Sequence, residues 1–211
     1  MIHDEGYIKF NCIWDKDNFD FPESLFKKLT LWREKLYALN LIGVYDDGVG
    51  FGNISVRLND KQFIITGSAT GNKPELIKND YALVTRYQLD KNQVESAGHT
   101  KASSEAMSHA AIYECSPEIQ AVIHIHNLKL WKKLMHKIPT TDENVPFGTP
   151  EMAYEIVRLY NKTNLPEKKI LVMGGHKEGI ISFGKDLNEA GEIILNYYKI
   201  RISKIPSDKA K

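Results

Sequence analysis

Apolar positions recur first at helical spacing. Leu25, Leu29, Trp32, Leu36 and Leu39 form one stripe, and Pro22 suits a first turn, so the pattern predicts a helix from about Pro22 to Asn40 with Gly43 as a stop. Ile54-Ser55-Val56-Arg57-Leu58 then alternates as a half-buried strand does, and Phe63 to Thr66 reads as a second strand running into the turn Gly67-Ser68-Ala69-Thr70-Gly71-Asn72. Ser103-Ser104 caps a predicted helix that reaches Cys115, with Ala106, His109, Ala110 and Tyr113 on one face and Pro117 closing it. Ile119 to His126 reads as a strand and Thr149 to Tyr160 as a helix. Lys169 to Met173 and Ile180 to Phe183 read as short strands on either side of a glycine loop. A last helix opens at Asp186, with Glu189 placed for a capping-box contact and Leu187, Ala190, Ile194 and Tyr197 inward. The hairpin-like pair near the C-terminus argues against a purely parallel sheet, leaving a mixed α and β domain.

Composition narrows the class. A chain of 211 residues, 42% hydrophobic and 26% charged, is long enough for one sizeable core and excludes wholesale disorder. The expected organisation is a single domain over 1–211, with a short N-terminal arm at 1–20 and a basic, solvated tail from about 202 to 211. Lys plus Arg number 28 against 27 Asp plus Glu, so no electrostatic footprint for nucleic acid exists. Cys12 and Cys115 are isolated, which excludes a disulfide framework and a cysteine-based zinc site. No apolar run approaches the roughly 18 residues of a membrane span, and Asp4 and Glu5 stand where a signal peptide carries basic residues. The expectation is a cytoplasmic protein with no membrane and no nucleic-acid partner.

The most chemical stretch is Val122-Ile123-His124-Ile125-His126-Asn127. In a strand His124 and His126 point to one side while Ile123 and Ile125 enter the core, so the two imidazoles can share one divalent metal or simply occupy a polar face. Ser103-Ser104-Glu105 reads as a helix N-terminus, and the same arrangement offers amides and hydroxyls to an anion with a carboxylate alongside. The glycine-rich run 48–53 is not a dinucleotide fingerprint: its third glycine comes one residue early and a strand, not a helix, follows. A tight turn is its plain reading. Asn53, Ser55, Ser68, Thr70 and Gly71 could supply anion donors. His176, among glycines between two strands, has no packing reason to be there and could be a third nitrogen ligand, a set that suits zinc. His3 and His136 read as incidental, His109 as a hydrogen-bonded core residue, and His99 as a weak candidate.

Taken in order, Gly52-Asn53-Ile54-Ser55, the Ile65-Thr66 to Thr70-Gly71 turn, Ser103-Ser104-Glu105, Val122 to His126, and Gly175-His176 followed by Gly179 to Gly184 resemble the class II aldolase/adducin family. The spacing of Glu105 19 residues before His124 belongs to that ordered set. The resemblance covers nearly the whole chain. It implies an α/β fold with a mostly antiparallel central sheet between helical layers, and a homotetramer with active sites at subunit interfaces. It further implies that His124, His126 and His176 hold zinc, with Glu105 as a ligand that dissociates to act as base. Asn53, Thr70, Gly71, Ser103 and Ser104 would bind the phosphate of a ketose phosphate.

The chain departs from the family pattern in three places. The family's third histidine directly precedes a glycine, whereas here the sequence is His176-Lys177-Glu178-Gly179, so Glu178 is an alternative ligand to His176. The turn at 67–71 is two residues longer than usual. The segment between Ile138 and Gly148 is short and has no tyrosine, for which Tyr197 or Tyr198 could substitute. The expected activity is a metal-dependent, zinc-type lyase that cleaves or forms a C–C bond in a small phosphorylated ketose. The alternatives are a sugar-phosphate epimerase or dehydratase on the same scaffold, or a non-catalytic adducin-like binding module.

Overall fold

In the computed structural model, residues 7–202 are described, with side chains through Lys199. The elements in chain order are β1 (Asn11–Asp15), α1 (Glu23–Ala38), β2 (Gly43–Val44), β3 (Gly50–Phe51), β4 (Asn53–Arg57), β5 (Phe63–Thr66), β6 (Tyr81–Gln88) and β7 (Gln93–Ala97). They continue with α2 (Ala106–Cys115), β8 (Ala121–His126), α3 (Leu128–Leu134), α4 (Pro150–Lys162), α5 (Leu165–Lys168), β9 (Ile170–Val172), β10 (Gly179–Gly184) and α6 (Leu187–Ile202).

Eight strands form one sheet in the order β1-β7-β6-β5-β4-β8-β10-β9. Every neighbouring pair is antiparallel except β1 with β7, which is parallel. The expected antiparallel sheet between helical layers is therefore what the chain forms. On one face α2 and α4 bury Ala106, Met107, Ala110, Met152 and Ile156 against the sheet. On the other, α1 and α6 bury Leu29, Trp32, Leu36, Ala190 and Ile194. Gly191 lets the two helices meet, because a Cβ there would lie 2.1 Å from the Trp32 ring. At the head of α6 the Glu189 amide donates to Asp186 Oδ1 at 2.8 Å, while the Glu189 carboxylate accepts from the Lys185 amide, so the capping contact forms one residue displaced.

Two expectations are corrected. The helix after Ser103-Ser104 begins only at Ala106; Glu105 is its N-cap position, and Ser103 Oγ accepts from the Glu105 amide two residues on instead of capping the helix. The face of β8 that carries the histidines is not a polar surface, since all six residues of the strand are buried and α2 covers that side. Ahead of α1, Asn11–Asp15 forms a strand at the sheet edge. The basic tail and His3 lie outside the described residues.

Candidate active site

Strand periodicity puts His124 and His126 on one side of β8, and β10 brings the third histidine. Gly179 pairs with His126 and Ile181 with His124, so the loop leading into β10 returns beside the HxH pair. In that loop the His176 amide donates to Met173 O, the Gly179 amide donates to His176 O, and Glu178 takes a left-handed backbone (φ 74°). Gly174 and Gly175 leave room for residues 141–145, since a Cβ on Gly175 would stand 1.8 Å from Val145 O. The result turns His176 inward, where it is buried, and its ring stacks on Phe147 with centroids 4.1 Å apart.

One nitrogen from each of His124, His126 and His176 lies within 4.8 Å of the others. The His124 and His126 Nε2 atoms are 2.9 Å apart. Burial, reinforced by the neighbouring His176 and His109, pushes the His124 imidazole well below its ordinary value, so the ring is neutral. Its Nδ1 faces the Ile180 carbonyl at 3.3 Å, and because a carbonyl only accepts, Nδ1 carries the proton and Nε2 turns a lone pair toward the other rings. Neutral imidazoles converging through nitrogen are a donor set that can hold a borderline divalent metal ion.

Glu105 is fully buried beside them. Its Oε1 lies 3.7 Å from His176 Nδ1, and its Oε2 accepts from Ser108 Oγ at 2.7 Å. The outer side of His126 meets Tyr45, whose Oη is 2.9 Å from Nδ1, and Tyr45 Oη also donates to Glu178 Oε2 at 3.2 Å. The described structure thus turns His176 toward the other two histidines and Glu178 toward Tyr45. His109 lies deeper, its Nδ1 2.6 Å from Ser55 Oγ, and burial pushes its pKa down to about 3.

A cavity of about 310 Å³ opens next to this cluster, lined by Gly50, Phe51, Asn53, Ser68, Thr70, Gly71, Ser103 and Ser104 among others. Of the residues expected to bind an anion, Asn53, Ser68, Thr70, Gly71, Ser103 and Ser104 line it, whereas Ser55 is buried elsewhere with its hydroxyl against His109 and Tyr113. The Thr70 hydroxyl donates to Gly67 O at 2.8 Å, so its proton is engaged inside the turn. Gly71 must be glycine, because a Cβ there would lie 2.2 Å from Gly43 O and 2.7 Å from the Gly50 Cα. Behind the turn the buried Arg33 guanidinium donates to the carbonyls of Thr70, Gly71 and Pro74. Tyr197 and Tyr198 pack with the α1–α6 core on the face of the sheet opposite the histidines.

Sequence reasoning missed Tyr45, Ser108, Phe147 and Arg33. Only Ser108 left a trace, as the i+3 neighbour of Glu105 on a helix.

The fold and this arrangement define a class of protein, and the comparisons agree: residues 45–198 match the Class II Aldolase and Adducin N-terminal domain, and the chain belongs to that family. Its relatives include L-fuculose phosphate aldolase of Methanocaldococcus jannaschii, 28% identical over 66% of this chain and 75% of the relative. A 3-oxo-tetronate 4-phosphate decarboxylase of Haemophilus influenzae is 34% identical over 38% of this chain, and that match spans only 35% of the relative's length. A methylthioribulose-1-phosphate dehydratase of Parvibaculum lavamentivorans is 37% identical over 36% of this chain and 33% of the relative. A sugar-phosphate aldolase from Thermotoga maritima shares the fold, with a TM-score of 0.61 at 19% identity over 89% of this chain and 99% of that one. The superfamily thus holds aldolases, decarboxylases and dehydratases. No helix among the described residues is long and apolar enough to cross a membrane.

Proposed function

We propose that this chain is a metal-dependent aldolase-type lyase that cleaves or forms a C–C bond in a small phosphorylated ketose or related hydroxy-carbonyl compound. The observation that carries the reading is the run Ser103-Ser104-Glu105, whose two serines line the cavity while its carboxylate lies 3.7 Å from His176. His124, His126 and His176 would hold a divalent cation, with zinc the expected ion and Glu105 beside it. Such a cation supplies Lewis-acid polarisation of a substrate carbonyl and its neighbouring hydroxyl. Glu105 moves the proton: Ser108 fixes Oε2, so transfer falls to Oε1, the oxygen on the histidine side. Asn53, Thr70, Gly71, Ser103 and Ser104 grip the phosphate, and that remote binding orients the reacting carbons. Each of the three curated relatives is named for a phosphorylated compound, which supports the phosphate assignment.

The test is turnover of a panel of ketose phosphates by the zinc-loaded protein, read as aldehyde release, beside Glu105→Gln. Cleavage of at least one ketose phosphate, reduced at least about a hundredfold in the variant, is expected. A metal-loaded protein that leaves the whole panel unchanged overturns the lyase reading. The stretch shared with the decarboxylase favours loss of CO2 from a phosphorylated 3-oxo acid as the second reading, so one such acid belongs in the panel.

A further inference from the structure

The three-histidine cluster has an unequal outer support. His124 is braced by a main-chain carbonyl of the strand next to it. His126 is braced by a side chain, Tyr45, which is itself held by Glu178. We propose that Tyr45 and Glu178 act together as a positioning pair that sets the tautomer and ring direction of His126, and that Glu178 does this in place of ligating a metal.

The argument is one of donors and acceptors. A carboxylate only accepts, so the single Tyr45 hydroxyl proton goes to Glu178 Oε2. The Tyr45 oxygen is left as acceptor for His126 Nδ1, 2.9 Å away, and Nδ1 must then be the protonated nitrogen. In the neutral ring His126 Nε2 then carries a lone pair, like that of His124, and the two nitrogens face each other at 2.9 Å. Two neutral rings in this tautomer cannot donate to each other, so the pair is set to share a cation instead of a hydrogen bond. Without Glu178 the phenol could donate to Nδ1, which would reverse the tautomer and put a proton on Nε2.

The local backbone fits the role. Tyr45 is positioned by the β2–β3 turn, where its amide donates to Val49 O and its carbonyl accepts from the Gly48 amide, and its ring packs on Phe51 at 4.5 Å. Glu178 sits at φ 74°, a conformation that non-glycine residues rarely take, and its carbonyl accepts from the Asn127 amide, one residue past His126. The loop thus ties Glu178 to the end of β8 through main chain and side chain at once.

This inference rests on the metal-centre reading above, and two measurements on the full chain separate them. Imidazole 15N shifts of the metal-free protein report the tautomer directly: His126 is expected with its proton on Nδ1 in the wild type and displaced from that state in Tyr45→Phe. A wild-type His126 protonated on Nε2 overturns the proposal without any variant. Titration with Co2+, read by visible absorption, gives the second measurement. Tyr45→Phe is expected to weaken Co2+ binding about 10- to 100-fold at unchanged stoichiometry. Glu178→Gln is expected to weaken it no more than that, and to add nothing in the Tyr45→Phe background. A further loss in that background, or a changed Co2+ spectrum in Glu178→Gln alone, makes Glu178 a direct ligand and overturns the proposal. Wild-type affinity in Tyr45→Phe overturns it as well. A wild type that keeps the Nδ1–H tautomer yet binds no Co2+ upholds the positioning pair and removes the metal reading instead.

Discussion

The histidine centre and the cavity beside it are built by opposite means. The centre takes two of its three histidines from one paired strand: Asn53 and Ile181 flank His124 in register, and Gly179 pairs with His126, while His176 arrives on the loop before β10. A slip of one residue would send both histidines to the other face of the sheet, so their positions are specified by the whole hydrogen-bonded ladder. The cavity takes its wall from turns at 48–52 and 67–72 and from the approach to α2. Only the two-residue β2–β3 ladder and the single Gly67–Ala102 bridge reach those turns, which are also held by glycine contacts and by Arg33 gripping three carbonyls. The two histidines that share β8 are placed where backbone freedom is smallest. Groups that grip by main chain are placed where the chain can curve around a ligand.

The largest expected effect isolates the first region. His124→Ala should reduce bound divalent metal from about one ion per chain to almost none by elemental analysis, while inorganic phosphate binding to the cavity, measured by calorimetry, stays within about twofold. Joint loss of both would show the two regions to be a single unit. Gly71→Ala strikes the second region. The added methyl meets main-chain atoms that cannot rotate away, so a loss of about 3 kcal/mol in chemical denaturation is expected, with metal stoichiometry unchanged. Stability equal to wild type would mean that the Gly43–Gly50–Gly71 contact does not define the wall.

The smallest effect concerns the dry layer beneath the centre. His109 has its pKa pushed from 6.5 to about 3 by burial, so the unfolded chain takes up its proton first as pH falls. Its contribution is fully present above pH 6.5 and declines on acidification toward about 3, by up to about 1.4 kcal/mol per pH unit. Denaturation midpoints between neutral and mildly acidic pH should fall less steeply in His109→Gln. Equal slopes would show that His109 does not govern acid stability.

How much of this was legible followed the same divide. Period-two alternation in β8 and the helical stripe of α1 are local signals, and both elements form where the pattern puts them. Strands β6 and β7 went unread because β6 opens on an unbroken apolar run, Tyr81 to Val84, and shifts register between Val84 and Arg86, while β7 puts the polar Ser96 at a buried position. The three histidines could be named because imidazoles are rare and their strand spacing is short. Tyr45 could not, since it reaches His126 from 81 residues away and carries no motif of its own. Arg33 belongs to no motif, yet it is 1% exposed, and only the folded turn supplies the carbonyls that justify a buried cation.

Arg33 also bears on how such a wall can diverge. Its partners are peptide carbonyls, which every residue type provides, so the grip is indifferent to the identity of the side chains it holds. Ser68 and Asn72 can be exchanged along an unchanged path, provided Gly71 keeps its contact with Gly43 and Gly50. A lineage can therefore try new substrates one side chain at a time without having to reinvent the loop.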